Sequence, residues 1–130
     1  FLGFKSRSVR TLEESWRILK ELTSSQVNLV IDTFHFYVGG SSLDSLGKIP
    51  VERLSVVHVN DVKRKPTDQL SDGDRLLPGE GDMNPKPLVD QLRTKGYEGP
   101  LSVELFREDY WKQDPLSVAR RARQSLDNFL

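Results

Sequence analysis

Cysteine is absent from the 130 residues, which excludes disulfides and thiolate metal sites and leaves His, Asp and Glu as the side chains able to bind a metal strongly. Excess charge of either sign is absent too: nineteen Lys and Arg offset nineteen Asp and Glu, so no overall field draws the chain to nucleic acid or to an anionic membrane. No apolar run approaches the roughly 20 residues of a membrane span, and the N-terminus lacks the basic-then-apolar plan of a signal peptide. These features predict a cytoplasmic protein whose partner is a small molecule, with neither nucleic acid nor membrane among its ligands. What the chain does have, 36% hydrophobic and 29% charged residues, is the composition of a folded protein with a real core.

The chain has the length of one ordinary domain and falls short of the roughly 250 residues of a (β/α)8 barrel. It opens on Phe1-Leu2-Gly3-Phe4 with no initiator methionine, as a chain cut within or just after a strand would. The expectation is a fragment of a single domain over residues 1–130.

Thr11 and Glu14 have the spacing of a capping box, and Leu12, Trp16, Leu19 and Leu22 recur at helical intervals through Glu21. Val27 to Ile31 suits a strand buried on both faces and ending at Asp32, followed by a loop opened by Gly39-Gly40. Ser41 to Leu46 fits a short helix stopped by Gly47, and a second strand lies around Leu54 to Val59. Residues 62–84 are charged and rich in Gly and Pro, a long connection of the kind that lies over a site. Pro85 then starts a helix carrying Leu88, Val89 and Leu92 and ended by Gly96. A third strand, Leu101 to Leu105, leads to a last helix with Asp114 as cap, Pro115 at its start, and Leu116, Ala119, Ala122 and Leu126 facing inward. Strands alternating with helices imply a parallel sheet, closed as a barrel or open and doubly wound.

Each strand carries a metal-competent side chain at or near its C-terminal end: Asp32, His58 and Glu104. Singly, such residues are most often a cap, a satisfied core histidine or a salt-bridge partner. On consecutive strands of a (β/α)8 barrel, however, those ends converge on one mouth, where active sites sit. Carboxylate and imidazole ligands suit one divalent ion, Mn²⁺, Mg²⁺, Co²⁺ or Zn²⁺, without choosing among them.

Asp32-Thr33-Phe34-His35, His58-Val59-Asn60-Asp61, Pro78-Gly79-Glu80-Gly81-Asp82 and Ser102-Val103-Glu104-Leu105-Phe106 occur in that order. Together they resemble the xylose isomerase-like barrel superfamily of sugar phosphate isomerases and epimerases, over nearly the whole chain. The resemblance implies an α/β fold, a (β/α)8 TIM barrel of which this chain supplies about the C-terminal half. It also implies a metal held by a Glu, an Asp, a His and a second Glu, the last three matching Asp32, His58 and Glu104. The first Glu has no counterpart and would precede Phe1, on the strand that Phe1-Leu2-Gly3 would finish. In the ketose epimerase branch a His three residues after the metal Asp and an Arg six after the metal His hold the substrate, spacings matched by His35 and Arg64. Arg64 also fits a solvated loop cation beside Lys63 and Lys65, and residues 78–82 fit a tight turn with no catalytic part.

The chemistry so implied is proton abstraction next to a carbonyl, on a small sugar or polyol, with Glu104 and the missing first Glu as the acid/base pair on opposite faces of the carbon. An inosose dehydratase-type lyase would use the same site. An apurinic endonuclease of the endonuclease IV type shares two motifs, but its Asp-Arg-His falls at Asp74-Arg75-Leu76, and leucine cannot ligate zinc. A half barrel alone would be inactive, and with open strand edges and an exposed apolar interior it would dimerise, aggregate or remain loosely packed; the whole protein could be a homo-oligomer.

Overall fold

The computed structural model describes residues 1–3 and 7–129. Thr11 begins the first element as expected. Its hydroxyl accepts from the Glu14 N–H at 3.2 Å, and the Glu14 carboxylate accepts from the Thr11 N–H at 2.9 Å. This reciprocal cap starts α1 (Leu12–Leu19), which buries Leu12, Ser15 and Leu19. Next come β1 (Leu29–Asp32), α2 (Thr33–Gly39), α3 (Leu43–Gly47) and β2 (Leu54–Val59). The remaining elements are α4 (Lys86–Thr94), β3 (Leu101–Val103), α5 (Glu108–Trp111) and α6 (Pro115–Asp127).

The three strands form one parallel sheet in the order β1-β2-β3. Ile31, Val57 and Val59 are fully buried on its outer face against Leu12, Leu46 and Leu92 of the helices. Each such side chain contributes about 1.5–3 kcal/mol relative to an exposed one. The expectation that the first strand is buried on both faces does not hold, because Val30 is 42% exposed. Its side of the sheet is the inner, barrel-facing one, and no described helix covers it.

Asp32 pairs with His58, and His58 with Ser102. Because side chains alternate along a strand, Glu104 returns to the face of Ser102 just beyond β3. The register therefore brings all three strand-end residues to the same side.

Two further departures from expectation have physical causes. Residues 33–39 are helical: Asp32 caps α2 by accepting from the N–H groups of Phe34 and His35, and Phe34 and Val38 bury its apolar side. Gly40, at φ 78, ends that helix in the left-handed conformation that glycine adopts without strain. Asp114 does cap α6, accepting from the Ser117 N–H at 2.8 Å, but Leu116 is 64% exposed and Ala119 is exposed. Leu126 of that helix packs against the core, Ala122 is partly buried, and its first half meets α5, since among the described residues β3 is the last strand.

Candidate active site and metal centre

Asp32 divides its two oxygens between scaffold and site. Oδ1 accepts from the N–H of Phe34 at 2.8 Å, from the N–H of His35 at 3.3 Å and from the Asn60 amide at 3.2 Å. Asn60 is itself locked to Thr33, whose hydroxyl accepts from the Asn60 N–H and donates back to Asn60 oxygens, each at 2.9 Å. The Asp-Thr and His-x-Asn motifs are thus one buried network tying the end of β1 to the end of β2, and it aims the remaining oxygen, Oδ2.

Asp32 Oδ2 lies 3.8 Å from His58 Nδ1, which lies 3.3 Å from Glu104 Oε2. One donor atom from each of the three residues falls within 4.8 Å of the others, and no further such group occurs among the described residues. Two carboxylate oxygens and an imidazole nitrogen at this separation are a donor set that fits one divalent cation.

The cluster contains a cation of its own. Arg75, 1% exposed, directs Nη1 at Asp32 Oδ2 and at Glu104 Oε2, each at 2.8 Å. Its Nη2 donates to Asp72 Oδ1 at 2.9 Å and sits 3.2 Å from His35 Nε2. A guanidinium only donates, so that contact is a hydrogen bond when Nε2 carries no proton. The rings of Phe34 and Phe106 flank the guanidinium, with centroids 4.8 and 5.0 Å from Cζ, in cation–π range. Burial alone would push the Asp32 carboxyl up. The adjacent Arg75 charge, the Asn60 amide and His35 outweigh it and hold Asp32 below the ordinary carboxylate value.

Of the residues expected to hold substrate, His35 lies in the cluster through Arg75. Arg64 does not join it: the residue is exposed and its backbone N–H donates to Asp82 Oδ2 at 3.1 Å. The arginine in the cluster is Arg75, in the long 62–84 connection, where spacing from His58 gives no pointer to it. The pointer in the sequence was the alignment of Asp74-Arg75-Leu76 with an Asp-Arg-His motif of metal sites.

That segment is pinned by Asp61. Its backbone exchanges hydrogen bonds with Leu76 at 2.9 and 2.8 Å. Its carboxylate accepts from the N–H groups of Val62 (2.8 Å), Met83 (3.0 Å) and Gly79 (3.2 Å). The bridge at Leu76 sets Arg75, one residue earlier, beside the strand ends.

Comparisons with known proteins agree with this architecture. The inosose isomerase of Bacillus subtilis (strain 168) is 33% identical over 125 residues, covering 96% of this chain and 45% of that protein. The inosose dehydratase of Lactiplantibacillus plantarum is 28% identical over 133 residues, covering 94% of this chain and 44% of that protein. Among solved structures, the IOLI protein with a binding zinc atom superposes with a TM-score of 0.88 at 30% identity, covering 93% of this chain and 44% of that one. A xylose isomerase domain protein from Alicyclobacillus acidocaldarius gives 0.78 at 30% identity, with 91% and 42% covered. The chain therefore spans a little under half the length of the relatives it matches, consistent with half of a barrel. With the xylose isomerase-like TIM barrel model matching residues 2–129, and with parallel strands that bring Asp32, His58 and Glu104 to one mouth, the chain belongs to the xylose isomerase-like TIM barrel family.

Proposed function

We propose that this chain carries the metal-binding and acid/base portion of an isomerase acting on a cyclic or open-chain polyol ketone of the inosose class. Asp32, His58 and Glu104 would hold one divalent cation. The observation that carries this reading is the meeting of their three donor atoms within 4.8 Å, and the inosose isomerases at 31–33% identity support the substrate class. When bound, such an ion polarises the carbonyl and hydroxyl oxygens of the substrate.

The protein's own groups do the rest. Glu104, whose side chain is 35% exposed, engages the cluster through Oε2, which leaves Oε1 to take a proton from the carbon beside the carbonyl. Delivering a proton from Glu104 to the former carbonyl carbon, while the hydroxyl proton passes to the former carbonyl oxygen, completes an isomerisation with a single base. Arg75 supplies positive charge near the developing anion. His35 orients the Arg75 fork, and Asn60 and Thr33 hold the Asp32 carboxylate still.

A dehydratase is the second reading, favoured by the inosose dehydratases at 28% identity, because loss of a β-hydroxyl from the same enediolate needs the same base. The test is to incubate the intact protein with an inosose and Mn²⁺ or Zn²⁺ in D₂O and follow the products by NMR. An isomerase gives a product of the same formula as the substrate, whereas a dehydratase releases water. A substrate recovered with neither an isomer nor a dehydrated product formed overturns the proposal.

A further inference from the structure

The cation at the centre of the cluster is a side chain that cannot leave the protein. Arg75 Nη1 donates to Asp32 Oδ2 and Glu104 Oε2 at 2.8 Å each, and these are the two carboxylate oxygens that face His58 Nδ1. The other Asp32 oxygen is committed to two backbone N–H groups and the Asn60 amide, so it offers no alternative.

We propose that Arg75 and a divalent cation compete for these two oxygens, so that Arg75 is the internal counter-charge of the metal-free protein and sets its metal affinity. This rests on the reading of the cluster as a metal centre. Metal–oxygen and metal–nitrogen bonds in such sites are about 2.0–2.2 Å. An ion drawing on all three donors therefore lies within a few ångströms of Nη1 and repels the guanidinium charge. Arg75 is held at its other end. Nη2 is tethered to Asp72 and faces His35, and the planar group lies between Phe34 and Phe106. A pivot about the Nη2 end withdraws Nη1 from the carboxylates while the tether and the aromatic contacts persist. In the metal-free protein the same guanidinium offsets the repulsion between two carboxylates held side by side.

The experiment is a calorimetric titration of the intact, chelator-stripped protein with Mn²⁺, on wild type, Arg75→Met and Asp32→Asn, with thermal melts at zero and saturating Mn²⁺. Arg75→Met should bind Mn²⁺ at least about tenfold more tightly, as expected for removing a unit charge within a few ångströms. Its melting temperature should fall without metal and rise on Mn²⁺ addition by more than that of wild type. Loss of binding in Asp32→Asn together with unchanged or weaker binding in Arg75→Met would overturn the competition and leave the metal centre standing. Mn²⁺ binding that is undetectable in wild type, or indifferent to Asp32→Asn, would overturn the metal centre and this inference with it. Should Arg75→Met not fold, the side-chain ¹⁵N resonances of Arg75 in wild type decide: they should shift on titration with Zn²⁺, and constancy at saturation refutes the pivot.

Discussion

Asp61→Asn isolates the latch that seats the arginine. The Asp61 carboxylate is 1% exposed and accepts three backbone N–H groups, two on Oδ1 and one on Oδ2. Asparagine matches its shape but has one acceptor and one donor end. The better orientation turns its oxygen to Val62 and Met83, which leaves an NH₂ facing the Gly79 N–H. Two bonds lose their charge assistance and one buried donor loses its partner, which together should destabilise the protein by about 2–4 kcal/mol. The effect should be local first. Gly79 belongs to the 78–82 turn, and through Leu76 the same residue fixes Arg75, so kcat/KM should drop with the stability. Urea denaturation gives the global change, and amide exchange at Gly79 and Met83 gives the local one. A stability within about 0.5 kcal/mol of wild type, the range of a neutral surface change, with unaltered exchange at both amides would refute the latch.

Glu104→Gln should lower kcat by about 10²–10⁴ while KM changes by only a few-fold, as for a lost acid/base group; steady-state kinetics on an inosose that the intact protein turns over decides, and near-normal kcat ends the assignment. A Cβ added at Gly81 would meet the Asp61 carboxylate and lie 2.5 Å from the Val62 nitrogen. Gly81→Ala should therefore cost about 1–3 kcal/mol by overpacking, measured by the denaturation midpoint, and a stability equal to wild type would show that the turn is not tight. The Asp32 carboxyl lies below its ordinary value because Arg75 and Asn60 outweigh burial, so its sign is that of a depressed acid. Its stabilisation is complete above the unfolded value near pH 4 and is lost as pH falls through the lower folded value. Acid titration of the metal-free protein should show that limb, and Asp32→Asn should remove it.

Where function was readable along the chain, the cause was local chemistry. Thr11 and Glu14 cap a helix through contacts three residues apart, and Asp114 and Pro115 start another by the same short-range means. The alternation of Leu54 to Val59 marks a strand wherever it packs. Asp32, His58 and Glu104 stood out because parallel strands deliver their ends to one side, so strand-end placement already implied convergence.

What stayed hidden depended on distant partners. Thr33 to Val38 is rich in aromatic and β-branched residues with weak helix preference, and it became helical because Asp32 caps it and a core accepts Phe34 and Val38. Leu116 carries an inward-facing pattern, yet periodicity names a face without naming what covers it. Arg75 lies 43 residues from Asp32 in a segment with no periodic signal, while Arg64 satisfied a count from His58 and ended exposed. Counting residues through a long connection does not measure where its backbone turns back, and here that point is set by the Asp61 bridge to Leu76. The meeting of Asp32, His58 and Glu104 was thus determined by sequence, through the fixed geometry of a parallel strand end. The cation that sits among them was decided only by tertiary structure, because a loop's path is set by the contacts it closes.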